Sequence, residues 1–359
     1  MKVALVHDWM IHMRGGEKVL EALAELYPDA VIYTLFFDRT RLSPSLAKME
    51  IRASFLQYVP GIKKFYRWLL PFFPWIIRTI KIEAADVVIS SSHCVAKAVA
   101  IPQGSVHVSY VHTPMRYLWG FEDVYFGKFP FVIRWFVRAV LSGLRKWDCE
   151  TNAGVGYFIA NSRNVQERIR RFYGRDSVVI CPPLEDEFFK LESESRGDYY
   201  LVVSAFVPYK RVDIVIRAFN RFDRKLIVVG SGPLRRQYLK LRQSEMISFV
   251  GGVGQSELKR LYSEAKALIF PTEEDFGIVP LEAQACGTPV IAYGRGGVLE
   301  TVKDGIFFDE QTVEALRQAV LRFEQTAFDH QAIAESVKDF GKARFKEQIR
   351  EFLYRNVTS

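Results

Sequence analysis

Two glutamates, Glu274 and Glu282, stand eight residues apart in the segment FPTEEDFGIVPLEAQACGTPVIAYGRGGVLETV, residues 270–302. Between them lie Phe276, Gly277 and Ile278, and Pro280 falls in the first turn of what reads as a short helix ending at Gly287. Proline is tolerated there because the first amides of a helix have no acceptor within it. Those free amides, aided by the helix dipole, form a site for an anion. A carboxylate beside them can accept two hydroxyl hydrogen bonds, and charge-assisted bonds are the strong ones. Lys210 and Arg211, in SAFVPYKRVD, follow an apolar run and open a helix, where a cation can meet a diphosphate. Gly230 and Gly232, in a Gly-Ser-Gly-Pro turn, permit close approach of backbone to a nucleotide.

The amino-terminal half offers a second group. The first apolar run ends at His7 and Asp8, and Arg14-Gly15-Gly16-Glu17 then leads into a helix. Gly15 and Gly16 there allow backbone amides to reach a ligand phosphate. Asp8 either orients an acceptor or caps the loop. His112 ends another apolar run in the phrase YVHTPMRYLW, and a histidine so placed can stabilise charge on a phosphate. Arg116 is a candidate partner for an acceptor phosphate. There is no DxD pair, so no metal is expected, and no pair of carboxylates is set for double displacement.

These residues need a scaffold that brings loops together. Short β-branched runs at 3–6, 87–90, 106–111 and 157–160 read as buried parallel strands, and the rhythm resumes at 200–204, 226–229, 247–250, 267–270 and 290–292. Helical patterns lie between them, one of them with Ser256 as its cap. Alternation of this length implies two doubly wound α/β sheets, with ligands beyond the carboxyl ends of the strands. The expected division is 1–185, 186–340 and a closing amphipathic helix over 341–359. It is marked by Pro182-Pro183, the polar stretch 192–198, and Phe345, Ile349, Phe352 and Leu353 at helical spacing.

The 359 residues suit two domains, and 49% hydrophobic with 25% charged residues is a globular composition rather than a disordered one. Net charge of +8 favours anionic partners. Four scattered cysteines without a CxxC pair argue against a zinc knuckle or disulfide framework and fit a reducing cytosol. No run of about 18 apolar residues marks a membrane span. Yet residues 52–81 carry Arg52, Lys63, Lys64, Arg67, Arg78 and Lys81 with no acidic residue, interleaved with Trp68, Phe72, Phe73 and Trp75. Residues 128–147 repeat the mixture. Interrupted by Pro71 and Pro74, the first stretch suits the plane of a membrane interface.

The spacing Glu274…Glu282, set among FG, EA, GxPVIA and GG, resembles glycosyltransferase family 4. The HTPMR phrase is similar to bacterial O-antigen and polysaccharide mannosyltransferases. The resemblance implies a GT-B fold, two Rossmann-like domains facing a cleft with the carboxy-terminal helix returning to the first. It implies a retaining transferase taking a nucleotide sugar, GDP-mannose first among candidates, to a lipid-linked glycan acceptor at the cytoplasmic face of the inner membrane. Glu274 would bind the donor sugar, Glu282 the ribose, Lys210 the diphosphate, and His112 would lie near sugar and phosphate. The chain departs from the family pattern at Ala205, where an arginine is expected; Arg211 or Arg295 would have to replace it. A UDP-sugar donor, a sugar-nucleotide epimerase and a non-enzymatic nucleotide-sugar binder are the alternatives. Nucleic-acid binding fits poorly.

Overall fold

The structure, a computed structural model, describes residues 1–120, 122, 126, 130–189 and 196–357, with backbone alone at 131–134. Most of the polar stretch 192–198, and Lys128 and Phe129 of the second aromatic-basic segment, lie outside the described residues. The chain divides into two compact units, Met1–Pro183 with Ala343–Ser359, and Leu184–Lys342.

The first unit is built on β1 (Val3–His7), β2 (Val31–Thr34), β3 (Ile51–Ala53), β4 (Val87–Ser92), β5 (Val106–Val111), β6 (Tyr157–Ala160) and β7 (Val178–Val179). They form one parallel sheet in the order β3-β2-β1-β4-β5-β6-β7. The period of two along a strand sends alternate side chains to opposite faces. Val3 and Leu5 accordingly join one hydrophobic cluster, and Ala4 and Val6 another. Both faces are covered, which is why β1 and β4 are buried along their whole length. The helix Lys342–Val357 contributes Phe345, Ile349, Phe352 and Leu353 to the Leu5 face.

The second unit repeats the plan with β8 (Tyr199–Val203), β9 (Lys225–Val229), β10 (Ile247–Val250), β11 (Ala267–Phe270), β12 (Val290–Tyr293) and β13 (Gly305–Phe308). Their parallel order is β10-β9-β8-β11-β12-β13. β2, β3, β7 and β13 were not anticipated from the sequence. The helix Gln255–Glu264 starts from Gly254 with no side-chain cap, so Ser256 lies inside it rather than capping it.

In each sheet the chain winds outward one way, then returns to wind the other. The reversal falls between β1 and β4 in the first unit and between β8 and β11 in the second. Connecting loops part at such a point and leave a crevice beyond the strand ends.

Candidate active site

In the second unit the crevice is lined by the loops that follow β8 and β11, which carry Lys210 and Glu274. The two side chains form an ion pair, each about five-sixths buried. Three contacts draw the loops together. Thr272 Oγ1 donates to the Tyr209 carbonyl at 3.1 Å. Gln311 Nε2 donates to the Pro271 carbonyl at 2.8 Å, and the Arg211 guanidinium donates to the Gln311 side chain at 3.2 Å. Arg211 has φ 51°, the one non-glycine residue in the left-handed region among those described. That conformation costs about 1–2 kcal/mol and persists only where surroundings enforce it. Arg211 was expected on the diphosphate; its guanidinium faces Gln311 and Asp213.

Beyond β11, Gly277 caps the helix Ile278–Ala285, whose first amides lie next to Phe276, Gly277 and Ile278. Glu282 on this helix accepts a 2.8 Å hydrogen bond from the buried Tyr262 hydroxyl. Burial, then the Glu282 charge, push that phenol well above its usual range, so it stays a donor. The acidic loop is braced from β12. The Gly297 amide donates to the Glu274 carbonyl at 2.7 Å, and a Cβ on Gly297 would lie 2.4 Å from the Phe276 carbonyl oxygen. Only glycine permits that approach. Gly230 and Gly232 perform a similar task against the loop after β8. A Cβ on Gly232 would stand 2.6 Å from the Phe206 carbonyl oxygen, and one on Gly230 1.9 Å from that of Ser204. The backbone these glycines admit on the side where a side chain would stand is that of the β8 loop. Ala205 and Arg295 are both exposed.

In the first unit the crevice between β1 and β4 gathers histidines. Register places His7 opposite Ser91, and His112 directly follows β5. His7 Nδ1 lies 3.1 Å from Ser91 Oγ, which lies 2.8 Å from His112 Nε2. Burial, then His93, push both His7 and His112 down to about 3 (for His7 the Asp8 charge opposes this), so both rings are neutral near pH 7. The helix Gly15–Leu26 begins beside them: a Cβ on Gly16 would meet His7 Cε1 at 3.4 Å and His112 Nε2 at 3.6 Å. Gly15 is exposed and Arg116 half-buried.

Asp8 does not face an acceptor. It is fully buried, and its carboxylate accepts from the amides of His93, Cys94, Val95 and Ala96 at 2.6–3.0 Å, with His93 Nδ1 also 3.0 Å away. Four backbone bonds occupy a carboxylate's lone pairs, so capping the turn after β4 is its role. Ser91, His93 and Gln311 belong to these sites without having been singled out from sequence.

The aromatic stretch resolves into two sides. Trp68, Phe72 and Trp75 are 80%, 60% and 66% exposed, whereas Phe73 is fully buried against Trp9 in the core. Phe73 is thus removed from the membrane-facing set. Arg52 pairs with Glu50 and Glu83, and Lys63 with Asp38, so acids from outside the stretch neutralise two of its cations. Lys64, Arg78 and Lys81 are exposed, as are Trp135 and Phe136 of the second segment. No helix among the described residues is long and apolar enough to cross a membrane.

An uncharacterized glycosyltransferase of Methanocaldococcus jannaschii is 24% identical over 360 residues, covering 95% of this chain and 93% of its own. An O-antigen chain mannosyltransferase of Salmonella typhimurium is 29% identical over 184 residues, covering 45% of this chain and about half (52%) of its own. The solved structure of Anabaena HepE in complex with UDP and glucose covers 99% of this chain and 100% of its own, with a TM-score of 0.69 at 18% identity. A family model described as Glycosyltransferase Family 4 matches residues 13–188, and one described as Glycosyl transferases group 1 matches residues 184–344. Together they cover residues 13–344, and the chain belongs to the family 4 glycosyltransferases of the GT-B fold.

Proposed function

We propose that this glycosyltransferase moves mannose from GDP-mannose, with retention, onto a polyprenyl-diphosphate-linked glycan at a membrane surface during polysaccharide or O-antigen assembly. The Salmonella relative's name supports the sugar. The observation that carries the acceptor is the exposure of Trp68, Phe72 and Trp75 beside Lys64, Arg78 and Lys81, an aromatic and basic surface with no core to join. Each cation near an anionic leaflet contributes about 1 kcal/mol, and rings inserted at the interface hold what the charge attracts. The chain then works peripherally, on the cytoplasmic face.

In this reading Lys210 and the first amides of the helix Ile278–Ala285 hold the donor diphosphate, Glu274 the sugar hydroxyls and Glu282 the ribose. The bond from the sugar's anomeric carbon to the phosphate oxygen breaks, and its electron pair stays with the departing diphosphate. The acceptor oxygen bonds that carbon on the same face, and its proton passes to a phosphate oxygen. Lys210 opposes the charge that grows on the leaving group, an interaction stronger in the transition state than before it. No metal takes part, so transfer should survive EDTA.

The test is radiolabel transfer to a lipid extract from GDP-mannose, UDP-sugars and ADP-sugars, with the anomeric configuration of the product read by NMR. Label in lipid from GDP-mannose with retained configuration is expected. Label from a UDP-sugar alone would replace the donor. An altered sugar nucleotide without lipid product would make the chain an epimerase, and binding without turnover would make it a non-enzymatic nucleotide-sugar protein.

A further inference from the structure

Nothing in the transfer chemistry uses a charge pair buried in the first unit. Asp148, fully buried, and Lys97, 2% exposed, lie 3.0 Å apart. Asp148 stands near the end of the helix Phe131–Glu150, and Lys97 directly follows the turn that Asp8 caps. All three ammonium protons have other acceptors: the Asp148 carbonyl at 2.6 Å, Thr151 Oγ1 at 2.8 Å and Asn152 Oδ1 at 2.8 Å. Lys97 thus brings the carboxylate a counter-charge, while its hydrogen bonds come from elsewhere. Oδ2 accepts from Trp119 Nε1 at 2.8 Å and from the Tyr173 hydroxyl at 3.0 Å. Such a pair is a poor source of stability, since apolar residues of similar volume often do as well. What it can specify is arrangement.

Trp119 closes a single turn in which the amides of Leu118 and Trp119 donate to the Met115 carbonyl. Met115 and Leu118 are buried in the core, and Arg116, between them, is half-buried. Two helices grip the end of this turn. Arg145 Nε donates to the Leu118 carbonyl at 2.7 Å, and from the helix Arg163–Tyr173 Arg168 donates to the Trp119 carbonyl at 3.1 Å. The indole stacks on Phe172 at 4.8 Å. The helix Phe131–Glu150 also reaches the aromatic surface: Trp135 and Phe136 are exposed, and Trp135 lies about 20 Å along the axis from Asp148. Between them Leu141 is buried in the cluster that holds Phe73, Ile76 and Ile77. One element therefore joins the surface ascribed to the membrane with the turn that carries Arg116.

We propose that Asp148 is a positioning residue: through Trp119 it holds residues 115–119 so that Arg116 meets the diphosphate of the lipid-linked acceptor. The proposal rests on the reading of that acceptor as a lipid diphosphate. Without the indole bond the turn samples other arrangements, and affinity falls with the share of competent ones. A share of about one-tenth weakens binding about tenfold.

The experiment measures binding of farnesyl diphosphate and of GDP to the full chain by isothermal titration calorimetry. Trp119→Phe keeps a ring to stack on Phe172 and deletes the indole donor. It should weaken farnesyl diphosphate about tenfold and leave GDP nearly unchanged. Tyr173→Phe removes the other donor from the same oxygen and should change neither, whereas a general loosening of the core would make the two variants alike. Arg116→Ala should weaken farnesyl diphosphate at least as much as Trp119→Phe. Combining the two should cost nothing further, because the turn then has no cation to present. A wild type that does not bind farnesyl diphosphate, an unchanged affinity in Trp119→Phe, a matching loss in Tyr173→Phe, or additive losses in the double variant overturns the proposal. If Trp119→Phe does not fold, the wild-type Trp119 indole N–H decides by NMR. Farnesyl diphosphate should slow its exchange with solvent and GDP should not, because coupling between turn and ligand is reciprocal. Equal slowing, or none, overturns the proposal. No sugar is transferred in these titrations. Mannose transfer to lipid with affinities indifferent to Trp119 sinks the positioning role alone, and selective farnesyl diphosphate binding in a chain without turnover sinks the transferase reading alone.

Discussion

Replacing Lys210 by methionine should separate catalysis from folding. The ammonium pairs with Glu274 and sits 5.5 Å from the Tyr209 ring centre, so methionine keeps most of the stem packing and deletes only the charge. At about 17% exposure the site is neither bulk water nor dry interior. With an effective dielectric near 20, a unit charge about 4 Å from growing negative charge is worth roughly 4 kcal/mol at full development and about 2 at half. That range is a loss of roughly 30- to 900-fold in kcat, at about 1.4 kcal/mol per factor of ten. The fold should lose less, about 1–2 kcal/mol, because Glu274 keeps partial access to water. The assay is single-turnover transfer to a soluble acceptor analogue, with Tm measured in parallel. Adding Glu274→Gln should return Tm toward wild type, since both charges are then gone, while the rate stays low. Arg116→Ala should lose far less rate with the same acceptor. A kcat within about threefold of wild type in Lys210→Met, or a double variant that regains its rate, would refute the reasoning.

Other outcomes are expected. Glu282→Ala should raise the donor KM by about tenfold and leave kcat nearly unchanged, because a ribose contact is alike in ground and transition states; a matching fall in kcat would contradict that assignment. Gly232→Ala should lower Tm by about 4–12 °C in a thermal melt, since its Cβ would meet the Phe206 carbonyl and its φ of 154° disfavours a side chain. Arg224, with help from Tyr200, holds the Glu324 carboxyl down to about 2, against burial, which raises it. A depressed carboxyl stabilises the fold above its unfolded value near 4.5, and that stability is lost as pH falls from there toward 2. Glu324→Gln should flatten the stability–pH curve in that window, as urea melts would report. Trp68, Phe72 and Trp75 changed together to serine should weaken binding to anionic vesicles by about 10- to 100-fold in sedimentation and spare donor binding, whereas unfolding would assign those rings to the core.

How far the sequence reaches depends on which physics a residue reports. β1, β4, β5, β11 and β12 are legible because a strand covered on both faces must be apolar throughout, and few other segments are. β3, β7 and β13 are two to four residues long with partial burial, so their pattern cannot stand out from a loop. β2 is buried but merges into Leu35 and Phe36, an apolar run with no boundary to read. Lys210 and Glu274 announce themselves by residue type and spacing. Ser91 does not: it is one of three consecutive serines, and its meaning comes from register across β1 and β4, which no local window contains. Asp8 misleads for the same reason, since the amides that claim it lie some 85 residues further on. Phe73 and Trp75 sit in a proline-broken stretch of short helical turns, where no steady period says which side faces water.

The two crevices share a topology and solve different problems within it. In the second unit the loops after β8, β9, β11 and β12 meet backbone to backbone. Gly230, Gly232, Gly296 and Gly297 each stand where a Cβ would come within 3 Å of main-chain atoms, and the strained Arg211 lies on the first of these loops. Side chains are few there, and Lys210 and Glu274 project from a frame with little freedom to move. That construction suits a group whose charge changes during reaction, because dipoles already fixed in place need not reorganise when the charge appears. The first unit uses side chains instead: a carboxylate that ties the turn after β4, and a serine that links two imidazoles. Imidazole and hydroxyl protons can be re-dealt without moving a heavy atom. A frame of backbone contacts and a network of side-chain hydrogen bonds are therefore expected to fail differently. Glycine substitutions in the second unit should lower stability and rate together, while Ser91→Ala, which takes the partner from His7 Nδ1 and His112 Nε2, should lower stability by about 1–3 kcal/mol for each nitrogen left unpaired.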